Sequence, residues 1–297
     1  MSGDEDAAST GGSRAFPATP PSTDIFAEDL FAGETALVTG GGTGIGKAVA
    51  LAYADHGADV AIASRSMDHL EPVVDELEAR GADACATTVD VREPEAVEAM
   101  VETVLAELGD VSILVNNAGA NFLCPAEGLS ANGWRSVVGT ILDGTANCTF
   151  AVGEHLLERG GGAIVSMGAT NAVRGAPYHA HSGAGKAGVH NLMRTVAAEW
   201  ADRGVRANTV APGVIATEGV MDVMGEGTGD GEARSASERA NGDVVSRIVE
   251  ADLAADRLGT PADCVAVTLF LTSPAAAYVT GSTYVVDGGQ LLAPTPF

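Results

Sequence analysis

From Thr35 onward, short apolar runs alternate with amphipathic stretches. Thr35 to Thr39, Asp59 to Ser64, Ala84 to Val89, Val111 to Asn116, Ala163 to Ser166, Arg206 to Ala211 and Thr283 to Val286 read as strands. Between two of them, Val97, Met100, Val101, Val104, Leu105 and Leu108 recur at i, i+3, i+4, i+7, i+8 and i+11, on one helix face. Strand and helix alternate throughout. The pattern predicts one α/β domain, a doubly wound parallel sheet of about seven strands with helices on both faces.

The alternation breaks between Asp222 and Asp243, where Gly225, Gly227, Gly229, Gly231 and Gly242 are spread among charged residues. Ligands bind at strand ends in open α/β sheets, so this stretch reads as a substrate lid near 218–250, against the plainer reading of a solvated insertion. Ahead of the first strand, Met1 to Asp24 is rich in Ser, Thr, Pro and Gly, starts acidic at Asp4-Glu5-Asp6, and lacks the apolar core of a signal peptide. The expected organisation is a disordered acidic tail over 1–30 and one domain over 31–297, in a cytoplasmic protein.

The 297 residues are 46% hydrophobic, enough for one large core. Forty acidic against sixteen basic residues give a net charge of −24, a surface that repels nucleic acid and anionic membranes. No apolar run approaches the roughly 20 residues needed to span a bilayer. Lys47 and Lys186 are the only lysines; the other basic residues are arginines. Such acidity with so little lysine points to a halophilic protein, solvated in high salt that screens repulsion between carboxylates. Cys85, Cys124, Cys148 and Cys264 lie far apart, and His179 and His181 have no partner ligand nearby in sequence, so no metal site is expected.

Ala36-Leu37-Val38-Thr39 runs straight into Gly40-Gly41-Gly42-Thr43-Gly44-Ile45-Gly46-Lys47 and then an Ala-rich helix. The glycines allow a tight turn and close approach of a pyrophosphate to the helix N-terminus, whose free N–H groups and dipole favour anions. Strand, glycine turn and helix in that order are the context a dinucleotide site requires. The second strand ends in Ser64-Arg65-Ser66, where NAD would require a carboxylate on its ribose 2′-OH. An arginine between two hydroxyls suits a 2′-phosphate, so NADPH (NADP+) is the expected cofactor; the plainer reading of Arg65 is a surface residue capping the next helix. Asp90-Val91 follows the third strand, where Asp90 either accepts from the adenine amino group or caps the helix beginning near Glu93.

Thr-Gly-x-x-x-Gly-x-Gly at 39–46, Asn116-Asn117-Ala118-Gly119, Lys186, and Pro212-Gly213 followed by Thr217 together resemble the short-chain dehydrogenase/reductase family, from Thr35 to Gly289. The resemblance implies a Rossmann domain, a homotetramer, Asn117 supporting the central sheet and Thr217 near the nicotinamide carboxamide. Its implied cofactor site comprises Gly40, Gly42, Thr43, Gly44, Ile45, Gly46, Ser64, Arg65, Ser66, Asp90, Val91, Asn117, Ala118, Gly119, Lys186, Pro212, Gly213 and Thr217.

Most members of that family carry an Asn, Ser, Tyr and Lys set; the corresponding positions here are Ile141, Ala169, Ser182 and Lys186. A serine hydroxyl is far too weak an acid to replace a phenol whose pKa, about 10 unperturbed, a neighbouring ammonium lowers. Ordinary ketone reduction by that route is not expected. The chain is more similar to a branch that keeps Ser plus Lys without the Tyr, the 2,4-dienoyl-CoA reductases. The similarity lies in Asn121-Phe122-Leu123-Cys124-Pro125-Ala126-Glu127, Asn132-Gly133-Trp134, His181-Ser182, Ala197-Ala198-Glu199-Trp200 and Asp287-Gly288-Gly289-Gln290. It implies NADPH-dependent reduction of a conjugated dienoyl-CoA in unsaturated fatty-acid oxidation.

That reduction pushes charge onto the thioester oxygen, so donors aimed there matter more than a phenol at a ketone. Lys186 is the candidate for the nicotinamide ribose, with Ser182 four residues earlier on the same helix face, near the thioester or ribose. His181 has the best intrinsic pKa to supply the proton, with Tyr178, His179, Asp143 or a held water as alternatives. Asn171, where some members of the branch place a Tyr, has no proton to give. Arg234, Arg239 and Arg247 are candidates for the CoA phosphates. Two competing expectations are a carbonyl, alcohol or sugar dehydrogenase that recruits Tyr178, and an NADP(H)-binding protein without turnover.

Overall fold

The computed structural model describes residues 22–218 and 257–292. Arg234, Arg239, Arg247, most of the expected tail and all of the expected lid beyond Glu218 lie outside them. Seven strands form one parallel sheet: β1 (Thr35–Thr39), β2 (Asp59–Ser64), β3 (Ala84–Thr88), β4 (Ile113–Asn116), β5 (Gly162–Met167), β6 (Val205–Pro212) and β7 (Thr283–Val286), in the order β3-β2-β1-β4-β5-β6-β7. Every expected strand is present, with ends moved by no more than about two residues. The helices are α1 (Gly44–Asp55), α2 (Glu71–Glu78), α3 (Pro94–Leu108), α4 (Ala131–Val138), α5 (Gly144–Arg159), α6 (Ala180–Trp200) and α7 (Pro261–Thr272).

Side chains alternate across a strand, and both faces of this sheet are covered. In β1, Ala36 and Val38 enter the core shared with Val49 and Tyr53 of α1, Leu77 of α2 and Leu269 of α7. Leu37 points the other way, into the core shared with Val97, Met100 and Val104 of α3, Leu156 of α5 and Met193 of α6. Leu105 and Leu108, on the same predicted face of α3, pack against that second core while staying partly exposed. Across the first core, the buried Tyr53 hydroxyl meets Thr272 Oγ1 at 2.9 Å and ties α1 to α7. Among the described residues no helix is long and apolar enough to cross a membrane.

The packed chain starts earlier than residue 31. Phe26 and Leu30 lie on the first core, and Phe31 stands edge-on to Tyr53 with ring centroids 5.1 Å apart. A hydrogen bond of 2.8 Å between His56 Nδ1 and the Ala27 carbonyl closes this segment onto the end of α1. Three bulky apolar residues close to polar punctuation are enough to seat it.

Because β1 lies between β2 and β4, chain order reverses there and leaves a crevice at the carboxyl ends of β1 and β4. At the other end of the chain, α7 starts in a capping box: Thr260 and Asp263 exchange hydrogen bonds, and Arg257 grips the Asp263 carboxylate at 2.8 and 2.9 Å. That guanidinium holds the Asp263 carboxyl below the usual carboxylate range.

Candidate active site

The crevice is built by backbone that only glycine permits. Gly40 and Gly44 have φ of 65° and 54°, in the left-handed region, and a Cβ on Gly46 would lie 2.2 Å from the Gly40 carbonyl oxygen. Thr39 and Asn117 then staple the ends of β1 and β4 together. Thr39 Oγ1 accepts the N–H groups of Asn117 and Ala118, each at 3.1 Å. In return, Asn117 Nδ2 donates to the carbonyls of Thr39 and Gly40 at 3.1 and 3.0 Å. No side chain caps the N-terminus of α1, and no acidic residue sits in its first turn. Its N–H groups and dipole therefore face the crevice without a competing carboxylate.

A cavity of about 470 Å³ opens here. Ten of the expected cofactor residues line it: Gly40, Gly42, Thr43, Ser64, Arg65, Ser66, Asp90, Val91, Ala118 and Gly119. Gly46 and Asn117 lie directly against Gly40 behind the lining, while Ile45 packs onto the first core. Gly44 faces Thr217, whose Cγ2 would lie 3.3 Å from a Cβ there, so Thr217 is brought to the loop. Pro212 and Gly213 stand apart from the lining, at the end of β6 against Asp287 and Gln290. His69 and Thr140 also line the cavity and were missed in the sequence. His69 follows Arg65 in a 3-10 turn whose backbone abuts Gly42, an arrangement with no motif of its own. A separate cavity of about 360 Å³ between Val214, Arg257, Asp263 and Val286–Gly289 contains none of the expected site residues.

At the tip of β2, Ser64 Oγ donates to the Ser66 carbonyl at 3.0 Å and shapes the turn that projects Arg65. Lys47 is drawn away to Glu76 at 2.8 Å. Asp90 does not cap α3, whose N-cap is Glu93; it holds Arg92 Nε at 2.9 and 3.1 Å instead. That pairing keeps the Asp90 carboxyl at about 2. The adenine role expected of Asp90 therefore falls to a carboxylate already bound on one side.

The other half of the site sits on α6. Lys186 Nζ donates to the carbonyl of Met167, the last residue of β5, and burial of the ammonium pushes its pKa down to about 8. One turn earlier, Ser182 is 5% exposed and its Oγ accepts from Asn171 Nδ2 at 3.3 Å. His181 is fully buried, and its Nδ1 accepts the Ser182 backbone N–H at 2.7 Å. An accepting Nδ1 means a neutral ring with the proton on Nε2. Desolvation, then neighbouring His179, lowers the pKa further. His181 is thus a neutral imidazole, not the protonated acid expected from its intrinsic pKa; Phe122 stacks edge-on against it at 4.5 Å.

Tyr178, just before α6, has φ of 67° and is 39% exposed. Its carbonyl accepts the Cys124 N–H at 3.1 Å, which pins the loop carrying Asn121 and Phe122 over the start of α6. His179 Nδ1 is occupied by the Pro177 carbonyl at 2.7 Å. Ile141, on the π-turn between α4 and α5, is buried against Gly185, where a Cβ would lie 3.0 Å from its Cγ2. That position is a packing contact with no polar group to offer.

A family model described as Enoyl-(Acyl carrier protein) reductase matches residues 40–290. The chain belongs to the short-chain dehydrogenase/reductase family. It is an oxidoreductase of that family, and its crevice fits the nicotinamide dinucleotide that the fold binds: left-handed glycines, an uncapped helix N-terminus and a cavity in line. A Bacillus subtilis (strain 168) protein named as a probable 2,4-dienoyl-CoA reductase, (2E)-enoyl-CoA-producing, is 36% identical over 88% of this chain and 98% of its own length. The D-threitol dehydrogenase of Mycolicibacterium smegmatis is 38% identical over 88% of this chain and 94% of its own. A solved structure from Beutenbergia cavernae has bound NADP at low occupancy and is provisionally named an NAD(P)-dependent gluconate 5-dehydrogenase. It superposes with a TM-score of 0.79 at 34% identity, over 89% of this chain and 100% of its own.

Proposed function

We propose that the protein reduces a conjugated 2,4-dienoyl-CoA with NADPH. The observation that carries this reading is Ser182 beside Lys186, a buried hydroxyl where a ketone reductase needs a phenol. The dienoyl-CoA reductase relative supports the same substrate class. Arg65, which lines the cavity and forms no salt bridge among the described residues while its charge reaches Asp90 across it, supports the 2′-phosphate of NADPH.

When bound, NADPH supplies the hydride. Lys186, fixed by the Met167 carbonyl, holds the nicotinamide ribose and keeps a positive potential beside it. Ser182 faces the substrate thioester, where charge arrives as the far end of the diene takes the hydride. A proton must then reach carbon to restore the thioester carbonyl. Of the groups proposed from sequence, His181 is held neutral and His179 Nδ1 is taken by the Pro177 carbonyl. The proton is therefore assigned to the partly exposed Tyr178 hydroxyl, ahead of Asp143 or a held water.

Purified protein mixed with NADPH and a 2,4-dienoyl-CoA at high salt should consume nicotinamide absorbance. A second reading, oxidation of a polyol, is favoured by the D-threitol dehydrogenase relative. Turnover with a polyol and NADP+ but none with the dienoyl-CoA would replace the first reading by the second. NADPH binding without turnover on either would make the chain a cofactor-binding protein.

A further inference from the structure

We infer that Asn171 and Ser182 act as one clamp that offers two hydrogen-bond donors to the thioester oxygen of the substrate. The inference rests on the dienoyl-thioester reading above and says how that site manages without a phenol.

The clamp is assembled by a glycine. Thr170–Ala172 is a short 3-10 turn just beyond the carboxyl end of β5, where ligands bind in open α/β sheets. A Cβ at Gly183 would lie 3.0 Å from the Asn171 carbonyl oxygen, so the glycine lets that turn rest directly on α6. The approach brings Asn171 Nδ2 to 3.3 Å from Ser182 Oγ. Ser182 sits one helical turn from Lys186 on the same face of α6, and Asn171 reaches it from the 3-10 turn.

Donor accounting gives the clamp its chemistry. Asn171 Oδ1 is buried without a partner among the described residues. An amide turned by half a rotation exchanges its oxygen and nitrogen, so both settings must be counted. In the first, Nδ2 donates to Ser182 Oγ, and one amide hydrogen and the serine hydroxyl hydrogen stay unspent. In the second, the hydroxyl donates to the amide oxygen, and both amide hydrogens stay unspent. Either way the pair keeps two hydrogens that no acceptor among the described residues takes up. An oxygen that gains charge only as the hydride arrives is the acceptor such a pair stabilises most, because the donors are already in place. The hydride electrons run through the diene to this oxygen and return to carbon when the proton is added, which restores the carbonyl and leaves NADP+.

Three variants test it in the full-length protein: Ser182→Ala, Asn171→Ala and Asn171→Asp. The last is isosteric and still accepts the Ser182 hydrogen, so the contact survives while no donor is left for the thioester. Loss of one such donor lowers kcat by about 100- to 1000-fold in other enzymes. We expect a fall of that order for Asn171→Ala, a smaller one for Ser182→Ala, which keeps both amide hydrogens but removes their anchor, and a larger one for Asn171→Asp, which leaves no donor. NADPH affinity by fluorescence titration should stay within about threefold of wild type. A second readout needs no turnover: binding to the wild-type protein without cofactor should shift dienoyl-CoA absorption to longer wavelength, as donors polarise its carbonyl, and each variant should reduce the shift. Wild-type kcat in Asn171→Asp, or an unchanged absorption shift in the variants, overturns the clamp. If the wild type itself binds NADPH but does not turn over dienoyl-CoA, the substrate reading falls and takes the clamp with it. An active wild type with unaffected variants removes the clamp alone.

Discussion

Lys186 on α6 is tethered by its ammonium to the backbone carbonyl of Met167 at the end of β5. The tether spends one of three ammonium hydrogens and leaves two for other acceptors. It also holds the charge where burial disfavours it, with a pKa of about 8 against the ordinary 10.5.

Replacing this residue by Lys186→Met should abolish turnover and weaken NADPH binding. In the wild type, NADPH affinity should decline as pH rises through about 8 and the ammonium loses its proton. The variant should show no such limb. Stability has the opposite sign: the unfolded chain binds the proton more tightly, so burial of the charge opposes folding below about 8 and is relieved as pH rises toward 10.5. Fluorescence titrations and melting curves from pH 7 to 10 check both; a pH-independent wild type would contradict the assignment.

Arg65→Asp should move cofactor preference from NADPH toward NADH. The turn shaped by Ser64 and Ser66 is unchanged by the substitution, while the cavity wall exchanges a guanidinium for a carboxylate suited to a ribose 2′-OH. The measurement is the ratio of kcat/KM for the two cofactors. An unaltered ratio would remove Arg65 from the 2′-phosphate site.

Much of this fold is legible in the chain because its signals are local and doubled. The strands read as apolar runs since both faces of the sheet are buried, and the face of α3 reads at helical spacing because one stripe, Val97, Met100 and Val104, is fully covered. The glycine loop is legible because left-handed backbone leaves little choice of residue. What the sequence hides depends on single neighbours far away in the chain. His181 reads as a plausible acid until the Ser182 N–H is found on its Nδ1. Asn171 reads as a lost donor until Gly183 is seen to bring it to Ser182. Phe26 reads as part of a polar tail because one aromatic ring among turn residues gives no period to recognise.

Tyr178→Phe should lower kcat by about 100-fold or more, the usual contribution of a positioned acid, with NADPH affinity kept. Left-handed backbone costs an ordinary residue about 1–2 kcal/mol, and such strain gathers at functional sites. Tyr178→Gly should therefore lose turnover as the phenylalanine variant does while melting no lower than wild type. Full activity in Tyr178→Phe would remove Tyr178 as the source of the proton.

Gly168→Ala should be strongly destabilising, and the partner responsible can be named. Gly168 continues β5 one residue beyond Met167, and a Cβ there would lie 2.1 Å from His190 Nε2 and 2.7 Å from Thr209 Cγ2. His190 is 4% exposed on α6, one turn beyond Lys186, and burial drives its pKa down to about 4, so it stays neutral and cannot escape by swelling into water. Overpacking of this kind costs about 1–3 kcal/mol, and a shift of α6 would also move Lys186 off the Met167 carbonyl. Activity should therefore fall together with stability. His190→Ala alone removes a buried ring and leaves a void, so it is destabilising too. Combined, the two substitutions exchange overlap for space, and the double variant should be more stable than the sum of the singles by about 1 kcal/mol or more. Denaturant unfolding of all four proteins measures that coupling; strict additivity would mean that the glycine is required by something other than His190.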